Sequence, residues 1–496
     1  MKIRTLGQSA SFRPHVLRTI TTVCGKLTAL VLLAFVVSCS RDLATGPNGD
    51  IVSICHVAGA SGTVMNIFAS ELPEHRSHGD YVSTLFVDRQ SGALGDGIHF
   101  VRIGDALTAA RAVRVARNEM AAASCRITIA VAAGIIPGSV PLSSDPTFER
   151  FPLRIDFPGV TLRGALNMQM DASARALRYD ASSGTTLSPV IGLAFETGSA
   201  SEPLIIVDGH PDGFQGNDVT IEGFVLQSGH VGRDTLAGGQ GVFALRVQNL
   251  IIRQNAFEGQ FTESIDLRAT SAMVDGNFLG GGGGTCDMCL AGPGAYHALN
   301  NMLLAGGIPG ILISPAALFA VPPGVEQWAL PVSAQVTATV ENNEVRNHLR
   351  KPVGVGIRMA GIGANVPNVA GSIKATLTSN TLVNNNFGII VEAGFPVANT
   401  LLKGDIDVTL TDNDISGSCQ NAMLVSFSRH TTGLGLANAA YIHNSTYTID
   451  LGYDIYWDKV WFADPAGFGN TLTVNGQLVP NGSRVAYDAA KTCAPM

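Results

Sequence analysis

Two groups of residues in this chain have the types and spacing of reactive sites. The first is Cys55-His56 followed by His75-x-x-His78, four sulfur- and nitrogen-bearing side chains within the short stretch Ser53 to Tyr81. Thiolate and imidazole are ligands that zinc and copper favour, and four of them can close a tetrahedral shell. Adjacent strand residues point to opposite faces, so Cys55 and His56 serve one ion awkwardly. A disulfide with Cys125 is the other fate open to Cys55. The second group is Asp266, Arg268, Arg358 and Glu392. A carboxylate acting as base, beside a guanidinium that neutralises an anionic substrate, is the equipment of polysaccharide cleavage. Calcium is a further cofactor to consider, but the sequence assigns no acidic cluster that would hold it. Solvated charges that pair across strands give the same pattern, and such pairs contribute little to stability.

The elements that must position these residues are β-strands. Charged residues make up 14% of the 496 and aromatics 6%, while 56 are glycine. So much glycine with so few lysines and glutamates disfavours long helices. The hydrophobic share of 46% is too high for a disordered chain. Short strands joined by tight turns fit that bias.

The first residues read as an address. Lys2, Arg4, Arg13, Arg18 and Lys26 precede the apolar run Leu27 to Ser38, which is too short to span a bilayer comfortably but suits a signal-peptide core. "VVSC", Val36 to Cys39, resembles the lipobox of bacterial lipoproteins, and the resemblance implies lipidation at Cys39. The expected destination is the cell envelope with a lipid anchor, or secretion if the lipobox is not used. Removing residues 1–38 would leave 27 basic against 39 acidic residues, a balance that argues against nucleic acid as a partner. Residues 39–50 then form a flexible tether. The six remaining cysteines, Cys55, Cys125, Cys286, Cys289, Cys419 and Cys493, suit disulfides in an oxidising compartment, with the pairing open.

An internal repeat sets the fold. The pattern apolar-x-x-Asn-x-apolar recurs as Ile252-Asn255-Phe257, Val274-Asn277-Leu279, Ala298-Asn301-Leu303, Val340-Asn343-Val345, Leu377-Asn380-Leu382 and Leu410-Asn413-Ile415; Ile221-Phe224-Leu226 carries Phe in place of Asn. Runs such as "VTIEGF", "ATLTSN" and "VTLTDN" alternate with period 2, as strands with one buried face do. Asparagine tolerates the left-handed backbone of a sharp corner, and stacked asparagines can hydrogen-bond from coil to coil. A single coil cannot cover its own apolar face, so the copies must stack.

With "DGIHFVRIGDALTAARAV", "CRITIAVAAG" and "FPLRIDFPGVTLRG" leading into these repeats, the chain resembles the right-handed parallel β-helix of the pectate-lyase type. The expectation is an all-β, single right-handed parallel β-helix solenoid over residues 91–476 with a short N-terminal capping helix. A small Cys/His element spans 51–90 and a tail 477–496. The histidine-containing element resembles a short segment of bacterial extracellular proteins. Strand alternation predicts Phe243, Leu245, Ile265, Leu267, Ile311, Ile313, Ile357, Met359, Ile389 and Val391 inside, with Arg246, Asp266, Arg268, Arg358 and Glu392 outside along one face. Arg246 on that face, and Trp457 and Trp461 in the aromatic-rich stretch Tyr441 to Phe462, are candidates for carbohydrate binding; a cap over the open end of the solenoid is the other reading of that stretch. The Gly-His-Gly and Arg-Ile-Lys signatures of polygalacturonase-like hydrolases are absent from the sequence. The expected partner is a polysaccharide or cell-surface glycan, bound or processed; the alternative is a non-catalytic adhesion or structural module.

Overall fold

The computed structural model describes residues between 51 and 485, leaving out 1–50, 486–496 and internal stretches. The longest of these are 139–147, 190–202, 210–216, 228–239, 282–307, 315–332, 361–369, 427–445, 451–459 and 464–470. It divides into two compact units, one comprising Met1–Val52 with Asn66–His78 and the other Ser53–Met65 with Gly79–Met496.

In the first unit the described chain makes a 3-10 turn, Ala69–Glu71, running into a one-and-a-half-turn helix α1, Leu72–Ser77. Pro73 sits in its first turn, where the missing N–H costs nothing. The Phe68 N–H donates to the Glu71 carboxylate at 3.0 Å, which fixes the start of the turn.

The second unit is a parallel β-helix. The chain visits three sheets in turn, so that Ile205–Asp208 joins a ten-stranded sheet, Thr220–Glu222 a thirteen-stranded one and Phe224–Gln227 an eight-stranded one. The next coil repeats this as Val242–Leu245, Leu250–Arg253 and Ala256–Gly259, each strand parallel to its predecessor. Core positions stack in register: Leu162, Ile221, Ile252, Val274, Val340, Leu377 and Leu410 are successive neighbours on the thirteen-stranded sheet, and all are buried. That sheet already includes Thr84–Val87 and His99–Phe100. The helix expected near the leading end is present as α2, Ile103–Ala116, with Ile103, Ala106, Leu107 and Ala110 buried. Its free N-terminal amides are capped from a distance, since Glu149 accepts from the N–H of Ile103 at 2.6 Å and of Gly104 at 3.1 Å.

The asparagine repeat is a hydrogen-bonded ladder at the corner between the thirteen- and eight-stranded sheets. Asn255, Asn277, Asn343, Asn380 and Asn413 are buried, and each side-chain oxygen accepts both the backbone and side-chain N–H of the asparagine one coil before. Asn255 ends it by accepting from the Phe224 N–H at 3.1 Å. Two sequence expectations change here. The left-handed residue is the one before each asparagine: Gln254, Gly276, Asn342, Ser379 and Asp412 have φ between 52° and 61°. The asparagine itself supplies bonds rather than backbone freedom. Second, Asn277 bonds directly to Asn343, and the strands of those coils pair directly, so Asn301 is not a rung between them. Three matched positions are too few to exclude chance in a glycine-rich insertion; Asn301 itself lies outside the described residues.

Candidate functional site

The outward face of the ten-stranded sheet is where the sequence put its charges. Asp266 and Arg268 stand two residues apart on Ile265–Arg268, with Ile265 and Leu267 turned to the core. They grip each other: Arg268 Nε lies 3.1 and 3.0 Å from the two carboxylate oxygens of Asp266, and Nη2 lies 2.6 Å from Oδ2. Asp266 is 0% exposed and Arg268 3%. The Arg268 guanidinium also lies over the Phe243 ring, 4.9 Å from its centroid. A base must reach the proton it abstracts. This carboxylate is sealed from solvent and already saturated by a cation.

Phe243 sits beside Asp266 on the neighbouring strand, and Leu245 beside Arg268. Both therefore lie on the outward side, packed with Ile206, and the core of that strand is Val242 and Ala244. Alternation misassigned Phe243 and Leu245 because "VFAL" is buried on both faces and carries no polar residue to mark the outer one. Ile357, Met359, Ile389 and Val391 do face the core.

Arg358 is in the same row as Asp266 but two strands along, with Leu312 between them, and it is buried at 3%. Two strand spacings separate those backbones by roughly 10 Å. Glu392 is registered opposite Ala360, and its side chain lies outside the described residues, as does that of Trp461 on Val460–Ala463. Trp457 and Cys39 fall outside the described residues altogether. Arg246, in left-handed backbone with φ 57°, is half-buried; burial pulls its guanidinium down and the charge of Asp208 partly restores it. Asp208 in turn pairs with Arg154 at 3.4 Å. The structure thus brings Asp266 and Arg268 together and places Arg358 apart from them.

The thirteen-stranded sheet has a charged outward row the sequence reading passed over. Arg163, Glu222, Arg253 and Asp275 are successive neighbours, and Glu222 holds Arg163 through Oε1 and Arg253 through Oε2, the latter at 2.6 Å. Burial pushes the Glu222 carboxyl up, but the bonds and charges of both arginines outweigh this and leave it below its usual range. The alternating signs one coil apart were the available signal.

At the leading end, Cys55 is disulfide-bonded to Cys125. That corrects its assignment as a metal ligand, because a disulfide sulfur offers no thiolate. His56 donates or accepts through Nδ1 at 2.9 Å from Asp80, whose other oxygen accepts the Val57 N–H. In the first unit, His75 lies on α1 and His78 caps its C-terminus, with its N–H on the His75 carbonyl at 3.1 Å. Next to the disulfide is a buried polar knot. Arg114, fully buried, donates to Glu119 at 2.6 Å, to the Tyr81 hydroxyl at 2.7 Å and to the carbonyls of Cys125 and Gly159. Arg117 and Ser124 complete the shell of Glu119. Burial raises the Glu119 carboxyl, and these bonds more than reverse it.

No family model matches the chain, and no curated protein does. Among solved structures it is similar to endo-xylogalacturonan hydrolase from Aspergillus tubingensis, at 10% identity and TM-score 0.33 over 83% of this chain and 98% of that one. It is also similar to PfbA, a surface adhesin of Streptococcus pneumoniae, at 11% identity and TM-score 0.32 over 79% and 90% of the two chains. A third is the A-module of the Azotobacter vinelandii mannuronan C-5 epimerase AlgE4, at 13% identity and TM-score 0.30 over 78% and 91%. Likenesses this distant carry nothing about what this chain binds.

Proposed function

We propose that this chain is an exported, lipid-anchored β-helix protein of the cell envelope that binds a polysaccharide or surface glycan without cleaving it. The observation that carries the non-catalytic half is the Asp266–Arg268 pair: the carboxylate best placed by sequence to act as a base is fully buried and engaged by its own arginine. Other outward charges also occur as pairs among the described residues, Arg154 with Asp208 and Glu222 with two arginines. Charges that satisfy one another in this way are not free to act on a substrate, although each such pair adds little to stability. An extended saccharide has hydroxyls and carboxylates at regular intervals, and a solenoid repeats its surface at regular intervals too. Cys39 is the proposed lipidation site. His56, His75 and His78 are proposed metal ligands; His56 is already oriented by a carboxylate, as ligating histidines are.

A glycan array read alongside assays for reducing ends and unsaturated products tests the function. Binding with no product supports it. Product release overturns the non-catalytic reading, and an array with no hits overturns the carbohydrate one. Metal analysis of the folded protein, compared with His75→Ala and His78→Ala, decides the metal assignment.

A further inference from the structure

The outward face of the thirteen-stranded sheet carries a second feature, independent of the carbohydrate reading. Over its later coils one outward position repeats as threonine: Thr339, Thr376 and Thr409 are direct strand-to-strand neighbours, and Thr448 and Thr473 continue the same register position. Two residues toward the C-terminus, the parallel row reads Glu341, Thr378, Thr411 and Asp450; two toward the N-terminus it reads Thr337, Lys374, Asp407, Thr446 and Thr471. Thr337, Thr376 and Thr409 are exposed and Thr339, Thr378 and Thr411 half-buried, while the alternate residues Ala338, Val340, Ala375, Leu377, Val408 and Leu410 are buried. The result is a two-dimensional threonine grid. Its rows are about 4.8 Å apart across strands and roughly 6.7 Å apart along them, the spacings that parallel strands impose.

We propose that this grid is an ice-binding surface. Oxygens on the faces of hexagonal ice repeat at a spacing close to the cross-strand one, so threonine hydroxyls can fall near successive lattice sites along a row. Each hydroxyl has one donor and two acceptor positions, enough to hold a water in a tetrahedral network, and each methyl fills space between waters. Two features make the array rigid enough for a lattice match. The β-branched side chain has few χ1 choices, and the backbone beneath is locked by strand pairing over nine residues on Ser333–Glu341, Ala370–Thr378 and Lys403–Thr411. The central row has no charge, and the charged positions Glu341, Lys374, Asp407 and Asp450 are all in the flanking rows. No aromatic residue holds a grid position; Tyr447 is registered with Val408, one residue off the central row. A saccharide face would want rings for stacking, and their absence favours ordered water over sugar as the occupant.

The test is inhibition of ice recrystallisation, and adsorption to a growing ice hemisphere, by the purified protein. The expected result is inhibition by the unaltered chain and a loss of at least tenfold in Thr376→Lys/Thr409→Lys, whose exposed sites should leave the melting curve unchanged. Thr376→Val, which keeps the shape and loses the hydroxyl, is expected to lose less, and Arg178→Ala, on a separate hairpin, nothing. No inhibition by the unaltered chain overturns the proposal. So does inhibition that the double lysine variant retains. If the same variant instead loses adsorption to an insoluble polysaccharide, the grid is a sugar surface and the ice assignment falls; a positive glycan array that the variant leaves intact bears only on the separate carbohydrate reading.

Discussion

Replacing Asn343 with alanine should remove about 4 kcal/mol of stability, far more than a typical surface change. Asn343 is 1% exposed and makes five side-chain hydrogen bonds. Its Oδ1 accepts from Asn277 N and Nδ2, both at 3.0 Å, and its Nδ2 donates to Val274 O, Glu341 O and Asn380 Oδ1, all at 2.9 Å. Alanine leaves the buried Asn277 N–H without its acceptor, at ~1–3 kcal/mol, and each further bond lost adds ~0.5–1.5 kcal/mol. The neighbouring Asn342 is half-buried and left-handed, with φ 56°, so Asn342→Gly keeps the backbone and loses only the bond from its Nδ2 to Asp275 at 3.0 Å, at a cost of ~1 kcal/mol. Asn343→Asp keeps the outline but aims a carboxylate at three oxygens, so it should cost at least as much as alanine. Asn413, with three side-chain bonds at the end of the ladder, should cost less than Asn343. Equilibrium urea unfolding by circular dichroism gives the totals. Native-state hydrogen exchange localises the loss, because solenoid coils can open separately. If Asn343→Ala costs under ~1 kcal/mol, or no more than Asn342→Gly, the ladder is not what holds this corner and the reasoning fails.

Arg114→Met should cost ~3–5 kcal/mol, because it removes one of the two cations on buried Glu119 and leaves the Tyr81 hydroxyl and the carbonyls of Cys125 and Gly159 without their donor; a neutral variant in urea melts would refute this. His348 is buried, and burial pulls its imidazole down to about 4 from 6.5, against a backbone bond to Leu279 that raises it. A folded value below the unfolded one means that the stability is present above pH 6.5 and is lost as pH falls toward 4, by up to ~3 kcal/mol. The difference in stability between the native protein and His348→Gln should therefore shrink across that window, and a constant difference from pH 7 to pH 4 would contradict the assignment.

The fold was legible because two signals agreed: period-2 runs marked strands, and recurring asparagines marked where one sheet gives way to the next. The candidate site was less so. Asp266 and Arg268 do face outward as alternation requires, yet their burial depends on Phe243 and other residues distant in sequence, which no local pattern encodes. Phe243 and Leu245 were misplaced because a strand buried on both sides has no polar phase. The left-handed corner residues escaped notice because the types vary from coil to coil: Gly276, Asn342 and Asp412 suit such backbone, but Gln254 and Ser379 do not announce it. The Arg163–Glu222–Arg253 row was spread over three coils and emerges only once the register is known.

The direct bond from Asn277 to Asn343 has a consequence for how such a chain can change over time. The two residues are 66 positions apart, while the other rungs of the ladder are 22, 33 and 37 apart. The ladder is indifferent to that length. Closing a loop twice as long adds only ~0.6 kcal/mol, whereas each rung contributes several hydrogen bonds made at fixed short range. The molecule therefore counts its coils by asparagines and not by residues, so new segments can be spliced between rungs, or lost, without the chain losing its place.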